Sequence, residues 1–273
     1  MLRVINNKDV VFNQAFRECE VEYNLIYRIL EDEKAFVIQS QDHNFIAAQN
    51  EGKAMWIWIN PALNSEIVHQ YLNEFYDLIK GRDIPGVTGY KEIVAKVAKK
   101  IAHDRKSDYK LAMGLIAYSC PEVTWKKSDS YQMIQSKLTL HLEIISNFLK
   151  GFIQDAFGDE VTEESQSEGA RKLIKTGNLY LLEAEGKVVA MANIAHKTKR
   201  YGRINAVYTP VEHRNKGYAT AIVAKLSRKL FEQGLIPMLY TDDTNIISNR
   251  VYTNIGFCER GRIEDIKILV QQD

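Results

Sequence analysis

Between Val207 and Thr220 the chain reads Val-Tyr-Thr-Pro-Val-Glu-His-Arg-Asn-Lys-Gly-Tyr-Ala-Thr, passing from a strand-like run through a glycine-containing turn into an amphipathic helical stretch. That order makes an anion trap. The N–H groups of a helix's first turn have no partner inside the helix and point outward along a favourable dipole. Gly217 removes the side chain that would block a phosphate, and Arg214 and Lys216 add positive charge beside it. The chain holds no GxxxxGK[ST] loop, and the first and third glycines of the dinucleotide fingerprint are missing here, so neither a nucleotide hydrolase nor a nicotinamide enzyme is favoured. His43, His69, His103, His141, His196 and His213 form no HxxxH or HxH pair, and Cys19, Cys120 and Cys258 form no CxxC. No bound metal and no disulfide framework is expected, and the three thiols read as reduced, in a cytoplasm.

The turn resembles the signature of the GNAT superfamily of acyl-CoA-dependent N-acyltransferases. Arg214-Asn-Lys-Gly217-Tyr-Ala219 matches that family's (Gln/Arg)-x-x-Gly-x-(Gly/Ala), and the segment from Thr244 to Phe257 is similar to its Asn-x-x-(Ala/Ser)-x-x-x-Tyr-x-x-x-Gly-Phe. The resemblance covers about residues 135 to 270. It implies an α/β (α+β) fold with a mixed, mostly antiparallel central sheet flanked by helices, and transfer of an acetyl group from acetyl-CoA to a primary amine. It further implies that Val207, Tyr208 and Thr209 lend backbone groups to the pantetheine arm. The N–H groups of Asn215, Lys216, Gly217, Tyr218, Ala219 and Thr220, with Arg214 beside them, would hold the pyrophosphate; Asn245 and Asn249 would contact the cofactor; Tyr252 would place a phenol near the sulfur.

A phenol of ordinary pKa, about 10, stays protonated at neutral pH and can protonate a departing thiolate. The same tyrosine equally suits a core position with its hydroxyl satisfied. The family often carries a glutamate base on its central strand, but Arg203 to Tyr208 offers Asn205 and no carboxylate. Glu183, His196, Glu212 or a chain of waters are the candidates for taking the amine's proton. His196 and His213 also read as solvated surface histidines, and Cys258 as buried and inert.

The elements that must position these residues follow from periodicity. Helical spacing predicts helices over about 8–19, 23–30, 63–80, 90–104, 137–156, 163–175, 215–233 and 248–254. Apolar or β-branched runs predict strands near 35–39, 44–48, 54–59, 84–87, 110–119, 179–183, 188–196, 203–208, 238–241 and 262–270, the 110–119 strand being buried along its length. Glu185-Gly186 and Tyr201-Gly202 read as tight hairpin turns. The second half repeats the element order of the first, which predicts two tandem units, 1–130 and 131–273, joined at a polar connection near 126–130.

In the first unit Ala54-Met-Trp-Ile-Trp-Ile59, followed by Asn60 to Ser65, occupies the place of the phosphate turn but lacks its Arg-x-x-Gly-x-Ala pattern. That half is expected to bind no CoA, and to shape the acceptor cleft or mediate contact between copies, as in a homodimer. Trp56 and Trp58 alternate onto one face, as if packed under a helix. Gly86 and Gly89 read as a strand exit with tight backbone geometry. Asp155, Asp159, Glu160, Glu163, Glu164 and Glu168 make an acidic patch that either favours a helix N-terminus near Thr162 or attracts a cationic acceptor.

The chain has 273 residues, with 36 Lys plus Arg against 35 Asp plus Glu, so no global field draws it to nucleic acid or to an anionic membrane. No apolar run reaches the ~20 residues of a membrane helix. The expected partner is a small-molecule or peptide amine. A non-catalytic CoA-binding sensor or scaffold with the same fold is the alternative, which the missing strand carboxylate keeps open.

Overall fold

A computed structural model describes residues 1–126 and 131–269; the polar connection expected near 126–130 falls almost entirely outside them. The chain forms two compact units. The first comprises residues 1–117, 241–244 and 259 onward; the second comprises 118–240 and 245–258.

In chain order the first half runs β1 (Leu2–Ile5), α1 (Gln14–Glu18), α2 (Leu25–Ile29), β2 (Phe36–Ser40), β3 (Phe45–Gln49), β4 (Met55–Ile59), α3 (Ser65–Leu78), β5 (Gly86–Gly89), α4 (Lys91–Asp104) and β6 (Tyr109–Ser119). The second half runs β7 (Gln132–Gln135), α5 (Leu138–Phe157), α6 (Glu163–Lys175), β8 (Leu179–Ala184), β9 (Lys187–Lys197), β10 (Tyr201–Tyr208), α7 (Tyr218–Glu232), β11 (Ile236–Asp242), α8 (Ile246–Ile255) and β12 (Cys258–Ile268). Both halves read β-α-α-β-β-β-α-β-α-β.

In the first unit the strand order is β1-β2-β3-β4-β5-β12-β6. The pairs β1/β2, β2/β3, β3/β4 and β5/β12 are antiparallel and β4/β5 is parallel. The last strand in sequence therefore lies inside the first unit's sheet, its Lys267 opposite Gly86 and its Glu264 opposite Gly89. A Cβ on Gly86 would stand 2.7 Å from the Ile266 carbonyl oxygen, and one on Gly89 2.4 Å from that of Ile57, the tight geometry expected there. The apolar face of α3 and α4, with Leu72, Phe75, Val94 and Val97, closes a core over Phe45, Met55, Ile57 and Ile266. Trp58 is fully buried and meets Phe16 of α1 edge to face at 5.2 Å between centroids, so it does pack under a helix.

In the second unit the order is β11-β10-β9-β8-β7, parallel at β10/β11 and antiparallel elsewhere. Ile145, Phe148 and Leu149 of α5 and Ala170 and Ile174 of α6 bury Leu179, Leu181 and Met191 on one side of the sheet. The stripe Ala221, Ile222, Val223, Leu226 and Leu230 of α7 is buried as well. Thr162 caps α6 by accepting the Ser165 N–H, with Glu163 and Glu164 in the first turn, which is the helix-start reading of those acids.

Several expectations need correction. The 8–19 helix is only a short 3₁₀ turn at Asn7–Asp9 and α1, because after an extended Val10 Asn13 caps a new start at Gln14 by accepting the Phe16 N–H. The edge strands β1 and β7 were not expected; four residues each, they carry too little periodicity to register. Strand β6 is buried only from Ile116 onward, and Leu111 is exposed. Glu185 and Gly186 both have the positive φ of the expected hairpin. Gly202 does not: it lies within β10, where a Cβ would come 2.4 Å from Leu230 Cδ2, so its glycine admits the helix rather than turning the chain. Cys258 is exposed, not buried.

Candidate active site

The turn expected to hold phosphate is built on β10 and α7. Strand β10 pairs with β11 only over Tyr201–Arg203, and its antiparallel register with β9 slips between Asn205 and Tyr208. The slip centres on Ala206, a non-glycine residue at φ +48°. Such a bulge kinks the strand and takes its backbone out of the ladder, and Ala206 and Val207 have no paired residue on β9.

Beyond Tyr208 the chain makes a 3₁₀ turn at Val211–His213 and enters α7 through Asn215 and Gly217, both left-handed at φ +62° and +79°. Gly217 is the residue before the helix, where a side chain would be strained although open space surrounds it. No side chain caps α7. The N–H groups of Gly217, Tyr218, Ala219 and Thr220 find no partner among the described residues, the first capping bond being Ala221 N–H to the Gly217 carbonyl. Donors left open at a helix start suit an anion such as a pyrophosphate.

The equivalent turn of the first unit is chemically different. Asn64 caps α3 by accepting the Ile67 N–H at 3.0 Å, and Asn60 accepts the Ala62 N–H at 3.0 Å in the loop before it, so side chains of the chain itself take donors along this turn.

Arg214 braces the turn rather than pointing into open space. Its Nε donates to the Thr209 carbonyl at 3.0 Å, its terminal nitrogen pairs with the Asp155 carboxylate of α5, and its guanidinium lies 5.9 Å from the Tyr208 ring centre. Asp155 is thereby paired with a cation, as Glu168 is with Lys172, which thins the acidic patch. Tyr208 leans on α5, where Gly151 leaves room for its hydroxyl. Burial and the nearby Asp155 carboxylate raise the Tyr208 pKa. A cleft of about 280 Å³ opens there, between Asn147, Gln154, Tyr208 and Glu212. Thr209 Oγ1 is buried with no hydrogen-bond partner among the described residues.

On α8, Asn245 spends its side-chain oxygen on capping, accepting the Ser248 N–H at 2.9 Å. Asn249 follows one turn later, half-buried. Tyr252 is buried, its ring 5.9 Å from Phe257 and 6.5 Å from Tyr118, and burial pushes its phenol up to about 12. It is protonated throughout the physiological range and packed among aromatics, which serves either of its two expected roles. Gly256, at φ +115°, approaches so closely that a Cβ would stand 2.1 Å from the Glu122 carbonyl oxygen.

Of the proposed bases, Glu183 is half-buried on β8 and Glu212 is exposed in the turn; His213, read as a surface histidine, lies 6.3 Å from the Tyr218 ring. His196 is not a surface residue: it is buried on β9 and its Nδ1 accepts from Arg203 Nε at 3.2 Å. Asn205, on the central strand, accepts from Asn193 Nδ2 at 2.9 Å. Asn193 escapes sequence reasoning because its contact depends on a cross-strand register broken by bulges. Among the described residues no group of His, Cys, Asp and Glu could hold a metal ion, and no helix is long and apolar enough to cross a membrane.

Comparison with known proteins bears on the fold. Residues 182–264 match the family model described as FR47-like protein. A search of curated proteins gives no match. Among solved structures, a GNAT-family acetyltransferase from Colwellia psychrerythraea aligns at a TM-score of 0.56 and 12% identity over 98% of each chain. A GCN5-related N-acetyltransferase from Sphaerobacter thermophilus aligns at 0.58 and 14%, over 98% of this chain and 95% of that one. A tandem GNAT protein from the clavulanic acid biosynthesis pathway aligns at 0.54 and 10%, over 100% of this chain and 99% of its own. At these identities what is shared is the fold, and the chain has the GNAT acyltransferase fold along its length.

Proposed function

We propose that this chain is an N-acetyltransferase that moves an acetyl group from acetyl-CoA to a primary amine. The observation that carries the reading is the run of four donors without partners from Gly217 to Thr220, set by two left-handed residues at the start of α7 and lying just past a kinked central strand. These N–H groups suit the pyrophosphate of CoA. Val207 to Thr209 then offer backbone to the pantetheine arm, with the Thr209 hydroxyl as a further polar contact. Arg214 holds the turn in shape through Asp155 and the Thr209 carbonyl. Asn249, on α8, contacts the cofactor in this reading.

The reaction is direct attack of a neutral amine nitrogen on the thioester carbon, without a covalent enzyme intermediate. Backbone N–H groups of the kinked segment would hold the oxyanion, which is where fixed donors contribute most. Tyr252, protonated at neutral pH, supplies a proton to the departing thiolate. The first unit, whose α3 start is capped by Asn64, with Asn60 taking the Ala62 N–H of the loop before it, would not take a second CoA.

Thiol release from acetyl-CoA in the presence of a panel of primary amines tests the reading. Turnover with at least one amine, with Tyr252→Phe lowering kcat about tenfold or more, is the expected outcome. CoA binding without turnover by any amine would instead favour the sensor or scaffold reading.

A further inference from the structure

The central strand lacks the carboxylate that would take a proton from the amine, and the structure puts two amides in its place. Asn205 is the last β10 residue in register before the Ala206 bulge, and Asn193 lies directly opposite on β9. Asn193 donates to Asn205 Oδ1 at 2.9 Å. Asn193 is only 4% exposed, and its own Oδ1 has no partner among the described residues. The Asn205 amide is half-buried, and its Nδ2 makes no hydrogen bond among the described residues.

A buried amide oxygen left without a donor is costly, so pairs of this kind hold a ligand or a water. Amide groups cannot act as bases themselves. A water suits the place better than a substrate group. Asn193 Oδ1 has no water-sized opening beside it as the two amides sit, so a water, the smallest such donor, enters only as the pair parts slightly; once there it can both donate to Oδ1 and accept from Nδ2.

We propose that Asn193 and Asn205 are positioning residues for acetyl transfer: together they seat one water beside the strand kink, and this water carries away the acceptor's proton. The proposal rests on the acetyltransferase reading. When the amine nitrogen bonds to the thioester carbon, the C=O π pair moves onto oxygen and the nitrogen becomes cationic and acidic. The seated water takes that N–H proton and passes one of its own toward solvent. The oxygen pair re-forms C=O, the C–S bond breaks, and the thiolate is protonated, leaving amide and thiol.

The test pairs a crystal structure at better than about 1.8 Å, with acetyl-CoA, with thiol-release kinetics using hydroxylamine as the acceptor. Expected is a water within hydrogen-bond distance of Asn193 Oδ1 and Asn205 Nδ2 that is absent in Asn193→Leu. That variant should lower kcat at least tenfold without raising KM for acetyl-CoA. Asn205→Asp, which needs no change of shape, should move the acid limb of the pH profile to lower pH by supplying a carboxylate. A dry or protein-bonded Asn193 Oδ1 in the wild type overturns the proposal, as does an Asn205→Asp profile that superimposes on it. Failure of the wild type to bind acetyl-CoA would count against the acetyltransferase reading instead, and the water would still be read from the crystal without ligand.

Discussion

Glu22 shows how one buried group sets a pH dependence. It sits in the turn between α1 and α2, where a Cβ on Gly261 would stand 2.4 Å from its Oε1, and burial pushes its carboxyl from 4.5 up to about 7. With the folded pKa above the unfolded one, the native state holds the proton more tightly, so this group's contribution is complete below about pH 4.5 and is lost as pH rises toward 7. About 2.5 units correspond to roughly 3 kcal/mol. Urea unfolding at pH 5 and pH 7.5 should show wild type losing stability across that window, and Glu22→Gln should flatten the difference. Equal slopes in the two proteins would remove Glu22 from the account. At the phosphate turn, Arg214 and Asp155 are 40% and 46% exposed, so their ion pair adds little stability. Arg214→Gln should therefore shift the melting temperature by no more than a degree or two, yet weaken acetyl-CoA binding several-fold in a titration, because the turn loses its brace and a cation.

Among the elements, α7 is the one whose placement the site cannot do without, and Gly202 sets its distance from the sheet. Gly202→Val would drive methyl groups into Leu230 and lift the helix, at a cost of about 1–3 kcal/mol in chemical denaturation. Most elements, and the strand-turn-helix around Gly217, were legible because long amphipathic stretches and a Gly-bearing turn leave strong local patterns. Helix α6, for example, follows its predicted bounds, 163–175, because Thr162 caps one end and the apolar stripe stops at the other. The role of Gly202 was misread because Tyr-Gly after a polar run looks like a turn, and only the helix above it reveals close packing. Asn193, the bulge at Ala206 and the buried His196 were illegible for a shared reason: each depends on a register between strands that local sequence does not encode.

At the level of the whole molecule, sequence halves and compact units do not coincide, since β12 lies between β5 and β6 of the first unit. A chain truncated after Phe257 should lose an interior strand of that sheet, along with Ile266 and Ile268 from its core. Circular dichroism and limited proteolysis should then find residues 1–117 cleaved throughout; a truncated chain resistant to protease there would refute the assignment of β12.

The central claim is that the start of α7 holds the phosphates of CoA. Thermal-shift titration with acetyl-CoA tests it most directly, using Gly217→Glu to place bulk and negative charge on the donors and Gly217→Ala to control for backbone strain alone. At one hundred times Kd, linkage gives about 2.7 kcal/mol. That corresponds to a rise of several degrees for the wild type, largely kept by the alanine variant and abolished by the glutamate one. A wild-type melting temperature that does not move at millimolar acetyl-CoA, or one that rises equally in Gly217→Glu, would contradict the claim.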